Sequence, residues 1–298
     1  MNPANSHTPF PITIPIRSLM TEPAEAVEFM AMPREMSTFE MPQLPEPGPG
    51  NDLAGAHEVL QAFLPQVDAW LAAGGEPPRL DLVGMPPDAL RVLNETLGEG
   101  EVAAIVNTGA TAGIEIRVQE TVFSGIWREQ HLAAAAGVLL HDYLLAAPIP
   151  PLVGALAQAQ ASTVLRTLAL PPGAMNVPAL VNELQEAVNH SGPGVPAHVI
   201  NLTLLPLSPE DAAHLDALLA GGAVVILSRG FGNCRISSTA ARNVWRVQYF
   251  NNMQTLILNT IEVVEMPEVA IAAHEDLLET RDRLADLVSW MGDSLAPA

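Results

Sequence analysis

Lysine is missing from this sequence: all thirteen basic residues are arginine, against 33 acidic residues, for a formal net charge of -20 and a pI near 4.6. That balance argues against nucleic acid, whose ligands carry a basic footprint, and against anionic membrane surfaces. The absence of lysine also excludes a GxxxxGK[ST] phosphate loop. Cysteine is nearly absent. A lone Cys234 excludes an intramolecular disulfide framework and any all-cysteine metal or iron–sulfur site built by this chain alone. The eight histidines (His7, His57, His131, His141, His190, His198, His214 and His274) are scattered, with no zinc-ligand spacing. No metal site, cofactor or catalytic residue set is expected. The N-terminus, MNPANSHTPFPITIPIRSLM, lacks a cationic start followed by an apolar core. The apolar run from Leu132 to Pro151 is interrupted by His141 and Asp142 and is too polar at its middle to span a bilayer. The expectation is a cytoplasmic protein that is not embedded in a membrane.

What is present is a globular composition, 49% hydrophobic, in 298 residues, enough for two cores. Proline and methionine concentrate in residues 1–50, which end in PQLPEPGPGND and read as an extended arm. Within it MPREMSTFEMP alternates apolar and polar groups without helical spacing. Such a segment lies along a domain surface, binds a partner in extended form, or is a plain tail, and composition leaves all three open.

The remainder repeats itself. LDLVGMPPDALRVLNETLGEGEV (80–102) parallels INLTLLPLSPEDAAHLDALLAGGAV (200–224): a short strand, a proline turn, an acidic helix start, a leucine-spaced helix, a glycine stop and another strand. In the same order, GIWREQHL matches NVWRVQYF and LLHDYLLAAPIPPLV matches LILNTIEVVEMPEVA. The spacing predicts a tandem duplication of a strand–helix–antiparallel hairpin–helix module, an α+β fold. HLAAAAGVLLHDYLL has helical propensity, but its counterpart YFNNMQTLILNTIEVV reads as a hairpin, so both are assigned strand, turn, strand. The organisation is then an arm over 1–50, a first module over 51–165, a linker with a short helix over 166–197, and a second module over 198–298. HEDLLETRDRLADLVSWMGDSL ends the second module as an amphipathic helix, with Leu277, Leu284, Leu287, Val288 and Met291 on one face and a Glu279–Arg283 pair.

RGFGNCRISSTAARNVWRVQYF (229–250) holds the lone cysteine and four arginines. A nucleotide loop is excluded because Arg235 stands where a third glycine belongs, and strand, not helix, follows. Aligning the copies on Trp127 and Trp245 sets Cys234 opposite Ile116, which predicts a core thiol; arginines 229 and 235 leave a reactive thiol as the alternative. Features shared by both copies (Arg117 with Arg235, Thr121 with Thr239, Trp127–Arg128 with Trp245–Arg246, Pro150 with Pro267) serve the fold. Arg229, Gly230, Phe231, Gly232, Asn233 and Arg242 belong to the second copy alone and, with Tyr249, are the candidate partner-binding residues. A tight turn with solvated arginines is the plain alternative.

The stretch SRGFGNCRISSTAARNVWRVQYFNNMQTLILNTIEVVEMPEVAIAAHEDLLET resembles the C-terminal region of the HupH/HyaF/HoxQ family of nickel–iron hydrogenase expression/formation proteins. The likeness extends to INLTLLPLSPED, LGEGEV, GIWRE and the arm's MPREMSTFEMPQLPEP. It implies a non-enzymatic maturation chaperone for the iron–sulfur small subunit precursor, acting notably under oxygen and before export, beside a thioredoxin-like partner chaperone of the same operon. A structural adaptor bridging maturation factors, and a redox factor using Cys234, are the alternatives.

Overall fold

The structure is a computed structural model and describes residues 52–107, 113–159, 161–230 and 232–296. Helix α1 (Leu53–Ala73) precedes strand β1 (Arg79–Asp81), helix α2 (Pro87–Leu97) and four strands, β2 (Val102–Asn107), β3 (Ile114–Glu120), β4 (Ile126–Ala133) and β5 (Val138–Ala146). After α3 (Pro151–Ala159) the order recurs: α4 (Val177–His190), β6 (His198–Asn201), α5 (Pro209–Leu219), then β7 (Gly221–Ser228), β8 (Asn233–Thr239), β9 (Val244–Phe250) and β10 (Leu256–Val263). A 3-10 turn (Glu268–Ala270) leads to α6 (His274–Leu295). All ten strands form one antiparallel sheet in the order β1-β5-β4-β3-β2-β7-β8-β9-β10-β6. The α+β class expected from sequence is the class observed. The alanine-rich segment is indeed a hairpin, β4–β5, turning at residues 134–137.

The two halves have matching topology, and they meet symmetrically. Counting back from Trp127, which faces Glu120, and from Trp245, which faces Ser238, Ala104 and Ile226 hold counterpart positions on β2 and β7. They also pair with each other across the junction, flanked by Val102↔Ser228 on one side and Val106↔Val224 on the other. A local two-fold axis through that pair, normal to the sheet, relates the halves and keeps each face of the sheet on its own side.

Local chemistry sets the helix ends. In α2, Pro87 sits in the first turn with Asp88, where its missing N–H is harmless and the acid meets the helix dipole. In α5, Ser208 and Asp211 form a reciprocal capping box. Asp211, fully buried, also accepts from the backbone N–H groups of Met175, Asn176 and Val177, so one carboxylate ties together the N-termini of α4 and α5. Burial alone would raise its pKa, but the donors of Val177, Ser208, Met175 and Asn176 outweigh burial and hold it at about 2.

Three cores result. On one face of the sheet, the tryptophan face, Trp127 and Trp245 are both 1% exposed among Ile116, Val118, Ile226, Ile236 and Cys234, beneath α3 and the 3-10 turn. Their indole N–H groups donate to Ala147 O at 2.8 Å and Val264 O at 3.1 Å, so neither ring is buried with an unmet donor. The other face carries Arg117, Arg128, Arg235 and Arg246 and is called the arginine face. There α1, α2 and α6 cover β1, β5 and β4, while α4 and α5 cover β6, β10 and β9.

Two expectations about organisation differ from what is seen. The C-terminal helix, assigned to the second module, packs Leu284, Leu287 and Met291 against Leu60 and Phe63 of α1 in the first. Its apolar stripe states how much it buries, not where. The short helix of the supposed linker is a full α4 that inserts Val177, Leu180, Leu184 and Val188 into the second core, as α1 does in the first. The expected Glu279–Arg283 ion pair is not made; Arg283 lies over the Phe123 ring, 5.0 Å from its centroid.

Candidate functional site

The β7–β8 turn is where the candidate residues converge. Ser228 ends β7 opposite Val102, which brings the turn against the α2–β2 loop, Glu99-Gly100-Glu101. Arg229 N donates to Glu101 O at 3.0 Å, and Gly232 N closes the turn onto Arg229 O at 3.3 Å. Gly232 has φ +100, a left-handed conformation that needs glycine. At Gly230 a Cβ would stand 2.4 Å from Glu101 Oε2. The close approach that this glycine permits is therefore filled from within the chain.

This end of the sheet is a knot of opposite charges. Burial raises the pKa of Glu99, and the Arg229 guanidinium partly offsets it. Beneath them, Glu120 is 7% exposed and accepts from Gly125 N at 3.0 Å and Ser124 Oγ at 3.4 Å. Burial pushes its carboxyl up to about 7 despite those donors, with Glu101 adding to the rise. The Gln119 amide holds the loop in place by donating to Gly100 O at 3.2 Å and Val102 O at 3.3 Å.

Arg229, Gly230, Gly232 and Asn233 therefore share one end of β8, with Tyr249 opposite Cys234 on β9 close by. Phe231 lies outside the described residues. Arg242 is not part of this group. It sits exposed in the β8–β9 turn, its backbone N–H bonded to Ser162 O at 2.8 Å, at the other end of a seven-residue strand, about 23 Å long at ordinary rise. Adjacency in sequence had joined residues that a strand separates.

Cys234 is 0% exposed, between Ile226 and Ile236 on the tryptophan face. Burial pushes its pKa up to about 12, although the Tyr249 hydroxyl donates to its sulfur. The core position expected for it is the one observed, and the arginines of the alternative reading stand away from it: Arg235 projects to the opposite face, and Arg229 stands beyond the strand end. Burial likewise lifts the Tyr249 hydroxyl to about 12.

Sequence reasoning passed over two arrangements. One is a pair of arginine clamps on the arginine face, the first of them buried. Arg128 Nε and Nη2 donate to the two oxygens of Asp142 at 2.5 Å each, and Nη1 to Asn94 on α2. At the counterpart site Arg246 Nε donates to Asn259 Oδ1 at 2.8 Å and Nη1 to Asp216 on α5. The other is Arg235, grouped with Arg117 as a fold residue. Arg117 Nε donates to Glu115 Oε1 at 2.5 Å, whereas the buried Nε–H of Arg235 has no acceptor among the described residues. The signal was available: Asn233 stands where the first half has Glu115. Burial lowers the Arg235 pKa.

Among the described residues no three His, Cys, Asp or Glu side chains are grouped to hold a metal ion, and no helix is long and apolar enough to cross a membrane.

Comparison with known proteins sets this geometry in a family. The profile of the HupH hydrogenase expression protein, C-terminal conserved region, matches residues 53–167 and 174–291, ranges that coincide with the two halves of the sheet. The hydrogenase expression/formation protein HoxQ of Cupriavidus necator is 40% identical over 270 residues, 90% of this chain and 93% of its own. The hydrogenase expression/formation protein HupH of Rhodobacter capsulatus is 40% identical over 267 residues, 89% and 91% of the two chains. A solved structure of the hydrogenase expression protein HupH from Thiobacillus denitrificans is 31% identical, with a TM-score of 0.36, over 40% of this chain and 96% of its own. By the extent of the profile and the identity to the Cupriavidus necator and Rhodobacter capsulatus relatives over nearly their full length, the chain belongs to the HupH family of hydrogenase expression proteins.

Proposed function

We propose that this protein is a non-enzymatic maturation factor that holds the iron–sulfur small subunit precursor of an uptake nickel–iron hydrogenase, notably under oxygen, until it is assembled and exported. The observation that carries the reading is family membership across nine-tenths of the chain, among relatives named for hydrogenase expression and formation. The geometry is consistent with holding, not chemistry: the lone thiol is sealed in a core and kept protonated, and the features particular to the second half lie at exposed turns. The net charge of -20 suits a client that enters with a basic export signal. A thioredoxin-like chaperone encoded alongside is the expected co-worker, and the shared topology of the halves fits descent from one duplicated unit.

The test is co-purification. Tagged protein from hydrogenase-producing cells should retain the small subunit precursor, and cells lacking that subunit should yield no such complex. Failure to retain it, or retention only of other maturation factors, rejects the chaperone reading in favour of an adaptor. Arg229→Ala and Arg242→Ala, made singly, divide the surface: a client seated on the β7–β8 turn is lost with the first and kept with the second. Unchanged capture in the double variant removes both turns from the interface.

A further inference from the structure

Among the described residues, no helix packs on the arginine face of the central strands β3, β2, β7 and β8. The α1–α2–α6 layer packs on the outer strands of the first half and the α4–α5 layer on those of the second, while α3 covers the centre from the tryptophan side. Between the two layers runs a trough four strands wide, about 15 Å at ordinary strand spacing. Ala103 and Ile105 are buried along its axis, with Val225 and Leu227 half-buried beside them. Arg117 and Arg235 stand at counterpart positions on its two outer strands, facing Gln130 and Gln248.

Those two arginines differ in one respect. Arg117 has Glu115; Arg235 has Asn233 in that place and an Nε–H buried without an acceptor among the described residues. The Nε–H of this half-buried guanidinium, next to Leu227, loses hydration and gains no acceptor among the described residues. A carboxylate arriving from outside the sheet would complete the pair the first half already has.

We propose that this trough seats the chain's own N-terminal segment, with a carboxylate from the stretch between Glu35 and Glu46 meeting Arg235. Three properties of the segment fit the seat. Residues 1–51 contain six glutamates, no aspartate and only two arginines, Arg17 and Arg34, so their charge complements the guanidinium. Pro33, Pro42, Pro45 and Pro47 disfavour helix in the stretch, and Met36, Phe39, Met41 and Leu44 offer apolar groups for the half-buried Val225 and Leu227. The segment ends at Asp52, the N-cap of α1, in one of the layers that wall the trough. At roughly 3.4 Å per extended residue, Glu35 reaches up to about 55 Å from Asp52, more than the roughly 45 Å breadth of ten strands. A second copy of this chain would have to enter between the helical layers, which a slender extended segment does more readily than a folded domain.

The experiment uses the full-length chain with the photoreactive p-benzoylphenylalanine in place of Phe39, irradiated at two protein concentrations and mapped by mass spectrometry. Cross-links within one chain to peptides of β2, β7 or β8, in a yield independent of concentration, are expected. Arg235→Gln, or Glu35→Gln with Glu40→Gln and Glu46→Gln, should each lower that yield about five- to tenfold, with no further loss when combined. The glutamate variants alter only the segment, so a folding defect in Arg235→Gln would leave that arm of the test intact. Cross-links to another copy, cross-links to the outer helix surfaces, no cross-links, or yields indifferent to both sets of variants would each overturn the proposal.

Discussion

Arg128 on β4 and Arg246 on β9 hold counterpart places in the two halves, yet each finds its carboxylate on a different element. For Arg128 the acid is Asp142 on the neighbouring strand and the amide is Asn94 on the helix; for Arg246 the acid is Asp216 on the helix and the amide is Asn259 on the strand. Each clamp keeps one acid, one amide and a guanidinium between helix and hairpin, so net charge is conserved while position is exchanged. Burial makes them unequal. The Arg128 and Asp142 side chains are each 2% exposed, against 21% for Arg246 and 55% for Asp216. Arg128→Met strands a buried carboxylate and should destabilise by about 3–5 kcal/mol in chemical denaturation, whereas Arg246→Met should cost about 1 kcal/mol. Asn94→Asp added to Asp142→Asn should recover much of what Asp142→Asn alone loses, because it installs the arrangement of the second half.

Ala220 ends α5 with φ 47 and ψ 171, the conformation that Gly98 adopts at the end of α2 with φ 56 and ψ -169. That region is almost confined to glycine, because a Cβ crowds the backbone there. Ala220→Gly should therefore stabilise the protein by about 1 kcal/mol despite the extra freedom it gives the unfolded chain. A lowered melting temperature would mean that packing around the Ala220 methyl outweighs the backbone strain.

Glu120 makes stability depend on pH. Its folded pKa of about 7 lies above the ordinary 4.5, so the folded state keeps a proton that the unfolded chain releases first. Its contribution is fully present below about pH 4.5 and is lost as pH rises toward 7. Glu120→Gln keeps an oxygen to accept from Gly125 and removes the titration. The variant should exceed the parent in stability at pH 8 by roughly 1–3 kcal/mol and match it near pH 4.5. Equal pH profiles for the two proteins would show that the carboxyl titrates normally.

Cys234 should behave as a core side chain. In the native protein at pH 8 it should resist iodoacetamide and react only after denaturation, because it is buried and its pKa stands at about 12. Cys234→Ala should support hydrogenase maturation in full. Prompt alkylation of the folded protein, or a well-folded Cys234→Ala that fails in maturation, would restore the redox reading.

Much of the fold was legible by setting the two halves of the sequence side by side. HLAAAAGVLLHDYLL has the propensity of a helix, and only YFNNMQTLILNTIEVV, its counterpart, shows a hairpin, which β4–β5 then forms. The same comparison placed Cys234 in a strand core through Ile116. It failed where a residue's role depends on what faces it across space. Arg229 and Arg242 looked like one surface because thirteen positions separate them, but β8 runs its length between them. The clamp partners Asn94 and Asp142 lie far from Arg128 in sequence, and no periodicity marks them. Arg235 was read as a copy of Arg117, although the change from Glu115 to Asn233 had already removed its partner.

What the sequence determined by itself is everything local: strand alternation, caps and turns, the matching order of the two halves, and the lack of lysine and of paired cysteines. These follow from short-range sterics and from chemistry that needs only neighbours. The tertiary structure alone decided that the halves merge into one sheet through Ala104 and Ile226 and that α6 crosses to the first core. It alone left the Arg235 Nε–H buried without an acceptor among the described residues. An amphipathic stripe or a strand edge records how much must be covered, and several partners in the chain satisfy that demand; only packing the whole molecule selects among them.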